Sequence, residues 1–323
     1  MLKPFFLTKK WALWAYGGSF GILIATGLGV LIDVRINQWY GTFFDSIQKA
    51  LNKEQLLDFP SYLHQVLTFL EVAIFAIFLN VILDFITKHF VFRWRKALNE
   101  YYIEHWENLR HIEGAAQRVQ EDTLRFARLT EVLGVRLMKA LLTLGAFLPM
   151  LWSLSDNIKE MPWVGAIEHS LVYVAVLYAL GGTIALAILG IKLPGLEFEN
   201  QKVKAAYRKK LVLEEDASER SNANEFSQLF KMIQANNFRL YIKYFYFDTA
   251  KWSYLQFGVI VPLVAMGPSV VAGVLTFGTL QMIMNAFGRV ESSFQYLVTS
   301  WTDIVELISV TKRLHAFDQT IAK

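Results

Sequence analysis

The chain has 323 residues, 54% of them hydrophobic and only 19% charged, whereas ordinary globular domains carry roughly 25% charged residues. No Asp, Glu, Lys or Arg occurs in the 37 residues between Lys251 and Arg289, and an uncharged stretch of that length excludes a soluble fold. With no cysteine and a net charge of +4, disulfides, thiolate metal sites, iron–sulfur clusters and thiol nucleophiles are excluded as well.

Taken in chain order, the first apolar segment, Trp11 to Ile32, is 22 uncharged residues, slightly more than the roughly 20 an α-helix needs to cross hydrocarbon. It is longer than the apolar region of a signal peptide and no small-residue cleavage site follows it, so it reads as a retained span. The second, Leu63 to Thr87, has Glu71 and Asp84 bracketing its uncharged centre, and the third, Leu137 to Ser155, has Lys139 near its start. The fourth is Ser170 to Ile191. The 37-residue run predicts a hairpin of two crossings, Trp252 to Val270 and Gly273 to Ser309, with Pro262, Gly267, Pro268 and Gly273 as the breakers. The sixth segment is apolar only in its first half. Its second half carries Arg289, Glu291, Asp303 and Glu306, which predicts a helix that leaves the bilayer or lines water. Alternating ten-residue segments are missing, which excludes a transmembrane β-barrel.

Two polar stretches, 88–136 and 192–251, predict helical extensions beyond the bilayer. In the first, Trp94, Leu98, Tyr101, Tyr102, His105, Leu109 and Ile112 recur at helical spacing among charges of both signs. The second opens on a break at Leu193-Pro194-Gly195, and its most polar part, Glu214 to Asn224, reads as a loop. Of the 32 Lys and Arg residues, 26 fall in segments that alternate onto one side, so the positive-inside rule places both termini and the two long polar stretches in the cytoplasm. Orientation therefore accounts for the positive charge, and nucleic acid is not an expected partner. The whole chain, 1–323, reads as one multi-pass transmembrane domain.

Enzymatic motifs are missing from the sequence. It holds no Gly-x-x-x-x-Gly-Lys-Ser/Thr phosphate loop, no Gly-x-Ser-x-Gly and no His-Glu-x-x-His. His105 and His111 lie six residues apart, whereas a metal pair on one helical face is spaced by three or four. Neither a metal nor a cofactor is expected. Ionisable groups at hydrocarbon depth usually face a bundle interior or a water-filled pathway; Glu71 reads equally as such a group or as an interfacial one near the headgroups, and Asp84 pairs with Lys88 or His89 as an ordinary helix-end contact.

The segment from Arg110 to Thr123, Arg-His-Ile-Glu-Gly-Ala-Ala-Gln-Arg-Val-Gln-Glu-Asp-Thr, resembles the signature of the SbmA/BacA peptide transporter family. Also similar are Val91-Phe92-Arg93-Trp94-Arg95, Asn99-Glu100-Tyr101-Tyr102, Gly190 to Phe198, Ala205-Ala206-Tyr207-Arg208-Lys209, Phe294-Gln295-Tyr296-Leu297 with Ser300-Trp301, and Val305-Glu306-Leu307. Asn37-x-Trp39 followed by Phe43-Phe44-Asp45, and Lys312-Arg313-Leu314-x-x-Phe317, resemble a broader group of ABC-type permeases. The likeness covers nearly the whole chain in order.

The resemblance implies an all-α integral membrane fold: six long transmembrane helices per chain in the arrangement of a type IV ABC exporter, paired as a domain-swapped homodimer without an attached ATPase. It implies a non-enzymatic secondary transporter of the bacterial inner membrane, importing peptides and peptide-like antibiotics by alternating access with the proton gradient as energy source and membrane lipids around it. The carboxylates it nominates for proton coupling are Glu113, Glu121, Glu131, Glu197, Glu215 and Glu306. Lys204 departs from the pattern, standing where some relatives are expected to carry a carboxylate; relatives also often begin with an additional hydrophobic segment. Two other readings stay open, an ABC permease working with a separate ATPase chain and a non-transporting membrane protein that influences envelope lipids.

Overall fold

In the computed structural model, residues 1–112, 115–158, 160–162, 165–215 and 223–321 are described, and they are overwhelmingly helical. A single turn at Lys3–Phe6 leads into α1 (Lys9–Leu51), then α2 (Phe59–Glu104), α3 (Ala115–Ser155), α4 (Ser170–Gly190), α5 (Leu193–Glu215), α6 (Ala223–Val271), α7 (Phe277–Phe294) and α8 (Trp301–Ile321). Five of the crossings anticipated from the sequence correspond to helices long and apolar enough to traverse a membrane: α1, α2, α3, α4 continued to Glu197, and α6 from Asn224. The protein is an all-α integral membrane protein. Its helices are much longer than the apolar segments inside them. At 1.5 Å per residue, the 46 residues of α2 rise about 69 Å, more than twice a hydrocarbon core of roughly 30 Å.

The sixth expected span, 273–309, is divided into α7, the single turn Tyr296–Thr299 and the start of α8. Helix α7 packs chiefly against α3 and α1, and buries Ile283, Ala286, Phe287 and Val290 on one face. Its modest apolarity fits that packing, since a helix that buries one face needs only a stripe of apolar residues.

Three of the four anticipated breakers do not break. Pro262, Gly267 and Pro268 lie inside α6, where neighbouring groups can satisfy the carbonyls that the prolines free. The turn is made by Gly273, whose φ is +68°. Its N–H donates to the Val270 carbonyl at 3.0 Å and the Val274 N–H to Ser269 at 3.0 Å, the paired bonds of a left-handed helix stop. The break anticipated at Leu193-Pro194-Gly195 falls just before it, at residues 191–192, and Pro194 sits in the first turn of α5, where its missing N–H costs nothing. Most of the expected loop at 214–224 lies outside the described residues.

The start of α7 explains one permease-like motif. Free N–H groups of a helix N-terminus need acceptors, and α1 supplies them: Asp45 Oδ1 accepts from Gly278 N at 2.8 Å and Gln48 Oε1 from Phe277 N at 2.6 Å. Thr276 Oγ1 caps the same turn by accepting from Thr279 N at 3.2 Å. Trp39 donates its indole N–H to the Gln65 carbonyl at 2.8 Å and stacks on Phe43 at 4.5 Å, tying α1 to α2. A Cβ on Gly278 would collide with the Gly41 carbonyl oxygen and the Asp45 carboxylate. Gly278→Ala therefore lowers thermal stability by about 1–3 kcal/mol, the usual cost of overpacking. Gly134→Ala, at a helical glycine with nothing within 4 Å of the added atom, leaves stability unchanged or raises it by about 0.5–1 kcal/mol. Thermal unfolding of the two variants in detergent compares them directly.

Contacts divide the chain into two units, 1–179 with 259–323, and 180–258. In the first, one buried cluster gathers Phe5, Phe90, Trp94, Tyr102, Phe126, Leu314 and Phe317, and another gathers Phe147, Leu151, Leu171, Met266, Ile283 and Phe287. In the second unit, the end of α4 and all of α5 run antiparallel to α6. Gly182 packs against Tyr254, Gly190 against Phe247, Asn200 donates to Asn237 at 2.8 Å, Tyr207 meets Phe226, and Lys210 pairs with Glu225 at 2.9 Å. Those contacts keep one register along the hairpin.

Candidate functional site

Within the larger unit, a charge-rich seam runs between α3 and α8. It begins at a π-helical turn, Arg118–Asp122, which inserts an extra residue into the helical repeat; such turns recur at functional sites. The Asp122 carboxylate there is only 4% exposed. Arg313 of α8 meets it with two nearly parallel bonds, Nε to Oδ2 at 2.7 Å and Nη2 to Oδ1 at 2.8 Å, while its Nη1 donates to Ser309 Oγ at 3.0 Å. This fork-on-carboxylate geometry is the strong form of an ion pair. The hydrogen bond to Asp122 is the main cause that pushes the Arg313 pKa up from its ordinary value.

Further along the seam the pairs become exposed. Arg125 reaches Glu306 at 3.1 Å and Glu121 at 3.7 Å, and Arg136 reaches Asp303 at 2.9 Å. The Tyr296 hydroxyl donates to the Leu133 carbonyl at 2.8 Å, fixing the turn before α8 to α3. Below the pairs, Leu314 and Phe317 are fully buried, with the Arg118 guanidinium 5.0 Å from the Phe317 ring centre. The family-like segments around 110–123, 294–307 and 312–317 are distant in sequence and meet here.

Of the six nominated carboxylates, Glu121 and Glu306 are brought together, joined by Arg125. Glu131 lies on α3 between Arg125 and Arg136, half-buried and in no ion pair among the described residues; the charges that reach it are those of Arg136, Arg128 and Asp84. Glu197 lies in the first turns of α5 in the second unit, half-buried, with its charge felt by Tyr244 of α6. Glu113 and the side chain of Glu215 lie outside the described residues. Asp84 pairs with Lys88 at 2.6 Å, but in the middle of α2 and not at a helix end. Glu71 and Lys204 are exposed.

Sequence reasoning missed Asp122 and its partner Arg313. Both were inside quoted motifs, but nothing in either motif signals that one carboxylate of Glu121-Asp122 is buried and the other solvated. It also missed Asp33, whose carboxylate receives both terminal nitrogens of Arg289 at 3.0 Å each, joining α1 to α7. Asn37 of the permease-like motif is buried beside that pair, its amide donating to the Met282 carbonyl at 3.2 Å and to Met150 Sδ at 3.0 Å. The charges of the sixth segment are thus mostly paired inside the larger unit.

Sequence comparison with known proteins covers all of these motifs. Residues 8–322 match the SbmA/BacA-like family. The chain is 27% identical over 99% of its length to the inner membrane ABC transporter ATP-binding protein YddA of Escherichia coli K12, covering 59% of that protein. It is 24% identical over 74% of its length to an uncharacterized ABC transporter ATP-binding protein of Synechocystis, covering 35% of it. It is also 24% identical over 75% of its length to the chloroplastic ABC transporter D family member 2 of Arabidopsis thaliana, again covering 35%. The chain therefore spans between about a third and three-fifths of these curated relatives.

Proposed function

The chain belongs to the SbmA/BacA-like family, and from that membership we propose that this membrane transporter imports peptides and peptide-like antibiotics across the bacterial inner membrane by proton-coupled alternating access. The single observation that carries proton coupling is Glu131. Coupling needs a carboxylate whose preferred charge state differs between two conformations; burial favours its neutral form and a nearby cation its charged form. Glu121, Asp122 and Glu306 are held by arginines. Glu131 is half-buried with arginines near but unpaired among the described residues, so a modest sliding of α3 against its neighbours would change its environment.

In this reading, residues 1–323 are one transmembrane domain with α7 as the sixth crossing, both termini in the cytoplasm, and two copies exchanging their 180–258 hairpins. The exposed side chains of that hairpin support the exchange. Phe230, Met232, Phe238, Tyr241, Ile242, Phe245 and Tyr246 are each at least 54% exposed, more apolar surface than a lone hairpin outside the bilayer would leave in water.

A second reading, a permease whose transport is driven by ATP, is favoured by one observation: the relatives are named ATP-binding proteins and extend well beyond the matched region. Uptake of a labelled proline-rich peptide into proteoliposomes separates the two. Accumulation driven by an acid-outside gradient without ATP is the expected result. No accumulation under the gradient, with accumulation once ATP and an ATP-binding domain are supplied, replaces proton coupling by the second reading.

A further inference from the structure

Apart from the α3–α8 seam, the larger unit carries a separate groove between α1 and α2, lined by Arg35, Gln38, Trp39, Thr42, Phe69 and Val72 among others, with a volume of about 170 Å³. Its hydroxyls are turned to their own helices: Thr68 donates to the His64 carbonyl at 2.9 Å and Thr42 to Trp39 at 3.1 Å. The Trp39 indole is likewise taken by Gln65. Arg35 is different. It is exposed, and the nearest carboxylate in sequence, Asp33, is occupied by Arg289. Among the described residues Arg35 forms no ion pair, which leaves a cation at the mouth of a largely apolar groove.

Depth identifies what such a groove meets. The uncharged part of α1, Trp11 to Ile32, rises about 33 Å at 1.5 Å per residue, matching a hydrocarbon thickness of roughly 30 Å. Arg35 stands one turn past its end, at the level of lipid phosphates. One and two turns back towards the membrane centre on the same face of α1 are Leu31 and Leu28, 62% and 39% exposed, and Phe75 of α2 is 53% exposed, forming an apolar track that continues the groove. The volume is below the roughly 300–1,000 Å³ of pockets that enclose a small organic ligand. It suits one end of a longer amphiphile whose remainder lies along the helices.

We propose that this groove is a binding site for an anionic phospholipid, with Arg35 holding the headgroup phosphate, Gln38 beside it, and an acyl chain lying against Leu31, Leu28 and Phe75. The site is independent of the energy source and of the transported substrate.

Native mass spectrometry of the full chain in mild detergent, titrated with phosphatidylglycerol, tests this. The unsubstituted protein retains phosphatidylglycerol adducts. Arg35→Gln weakens their retention about fivefold, the value of one basic side chain at an anionic lipid surface. Val72→Phe, which keeps the charge but fills the groove, weakens it comparably and decides the matter if Arg35→Gln does not fold. Unchanged retention in both variants overturns the proposal. Displacement of the lipid by inorganic phosphate at equal concentration overturns it in favour of a free-anion site, and displacement by a peptide with a free carboxylate, but not by its amide, overturns it in favour of a substrate site.

Discussion

Replacing Arg313 by Met lowers the stability of the detergent-solubilised protein by about 3 kcal/mol or more, several degrees in melting temperature, because it strands the Asp122 carboxylate in an interior where it is 4% exposed. The reverse change is milder. Asp122→Asn leaves an Arg313 that is 41% exposed and able to turn towards water, so it costs about 1.5–3 kcal/mol, the range for a lost hydrogen bond to a charged group. The two groups contribute unequally although they share one pair, since the penalty of breaking an ion pair is set by the burial of the survivor. Combining Asp122→Leu with Arg313→Met removes both charges and recovers most of the loss, as replacement of buried pairs by apolar residues often does. Thermal unfolding of the three variants reads this out. Equal losses in the two single variants, with no recovery in the double, would show that the pair matters for shape and not for charge compensation.

On the proposed proton-coupled reading, Glu131→Gln reduces gradient-driven peptide uptake about tenfold or more, the effect of one pKa unit of differential stabilisation, while counterflow exchange without a gradient is retained. Exchange needs the carrier to open and close but moves no net proton, so it separates coupling from folding and from substrate binding. Uptake by the variant also loses its dependence on external pH. Glu121→Gln serves as the internal comparison: its carboxylate is 51% exposed and lies 3.7 Å from Arg125, an interaction worth at most about 1 kcal/mol, and uptake changes less than about twofold. Intact, pH-dependent uptake in Glu131→Gln removes that residue from the mechanism, whatever the fate of the peptide-transport reading.

The order of helices could be read from the sequence because a bilayer imposes local requirements. Trp11 to Ile32 and Ser170 to Ile191 each satisfy the length for a crossing without help from any other part of the chain, and both lie in helices of sufficient length and apolarity. Where the requirement is not local, the reading failed in instructive ways. Pro262 and Pro268 are strong breakers in water, yet both stay inside α6. Asp84 looked like the end of a helix and lies in the middle of one that continues to Glu104. A charged continuation past the membrane is still helix, and hydropathy alone does not distinguish it from a loop.

The site was legible in its residue types and not in their roles. Glu121, Asp122 and Glu131 sit within ten residues of one another on one strongly charged stretch, and the family likeness nominated the first and third. Only the partner across the seam tells them apart. Arg313 is 191 residues from Asp122 and Glu306 is 181 from Arg125, and the π-turn at Arg118–Asp122 turns Asp122 inward by shifting the helical phase, a change that no periodicity count anticipates.

By itself, then, the amino-acid sequence determined the solvent this protein lives in, the apolar segments that meet it and the family to which its motifs belong, because matching a bilayer is a property of each segment taken alone. The tertiary structure decided which charges are paired, that Asp122 is buried while Glu131 is half-buried and in no ion pair among the described residues, and where an arginine in no ion pair among them borders an apolar groove. Those outcomes depend on distances between side chains that lie far apart in the chain, and electrostatic energy depends on such distances and on burial, which composition does not contain.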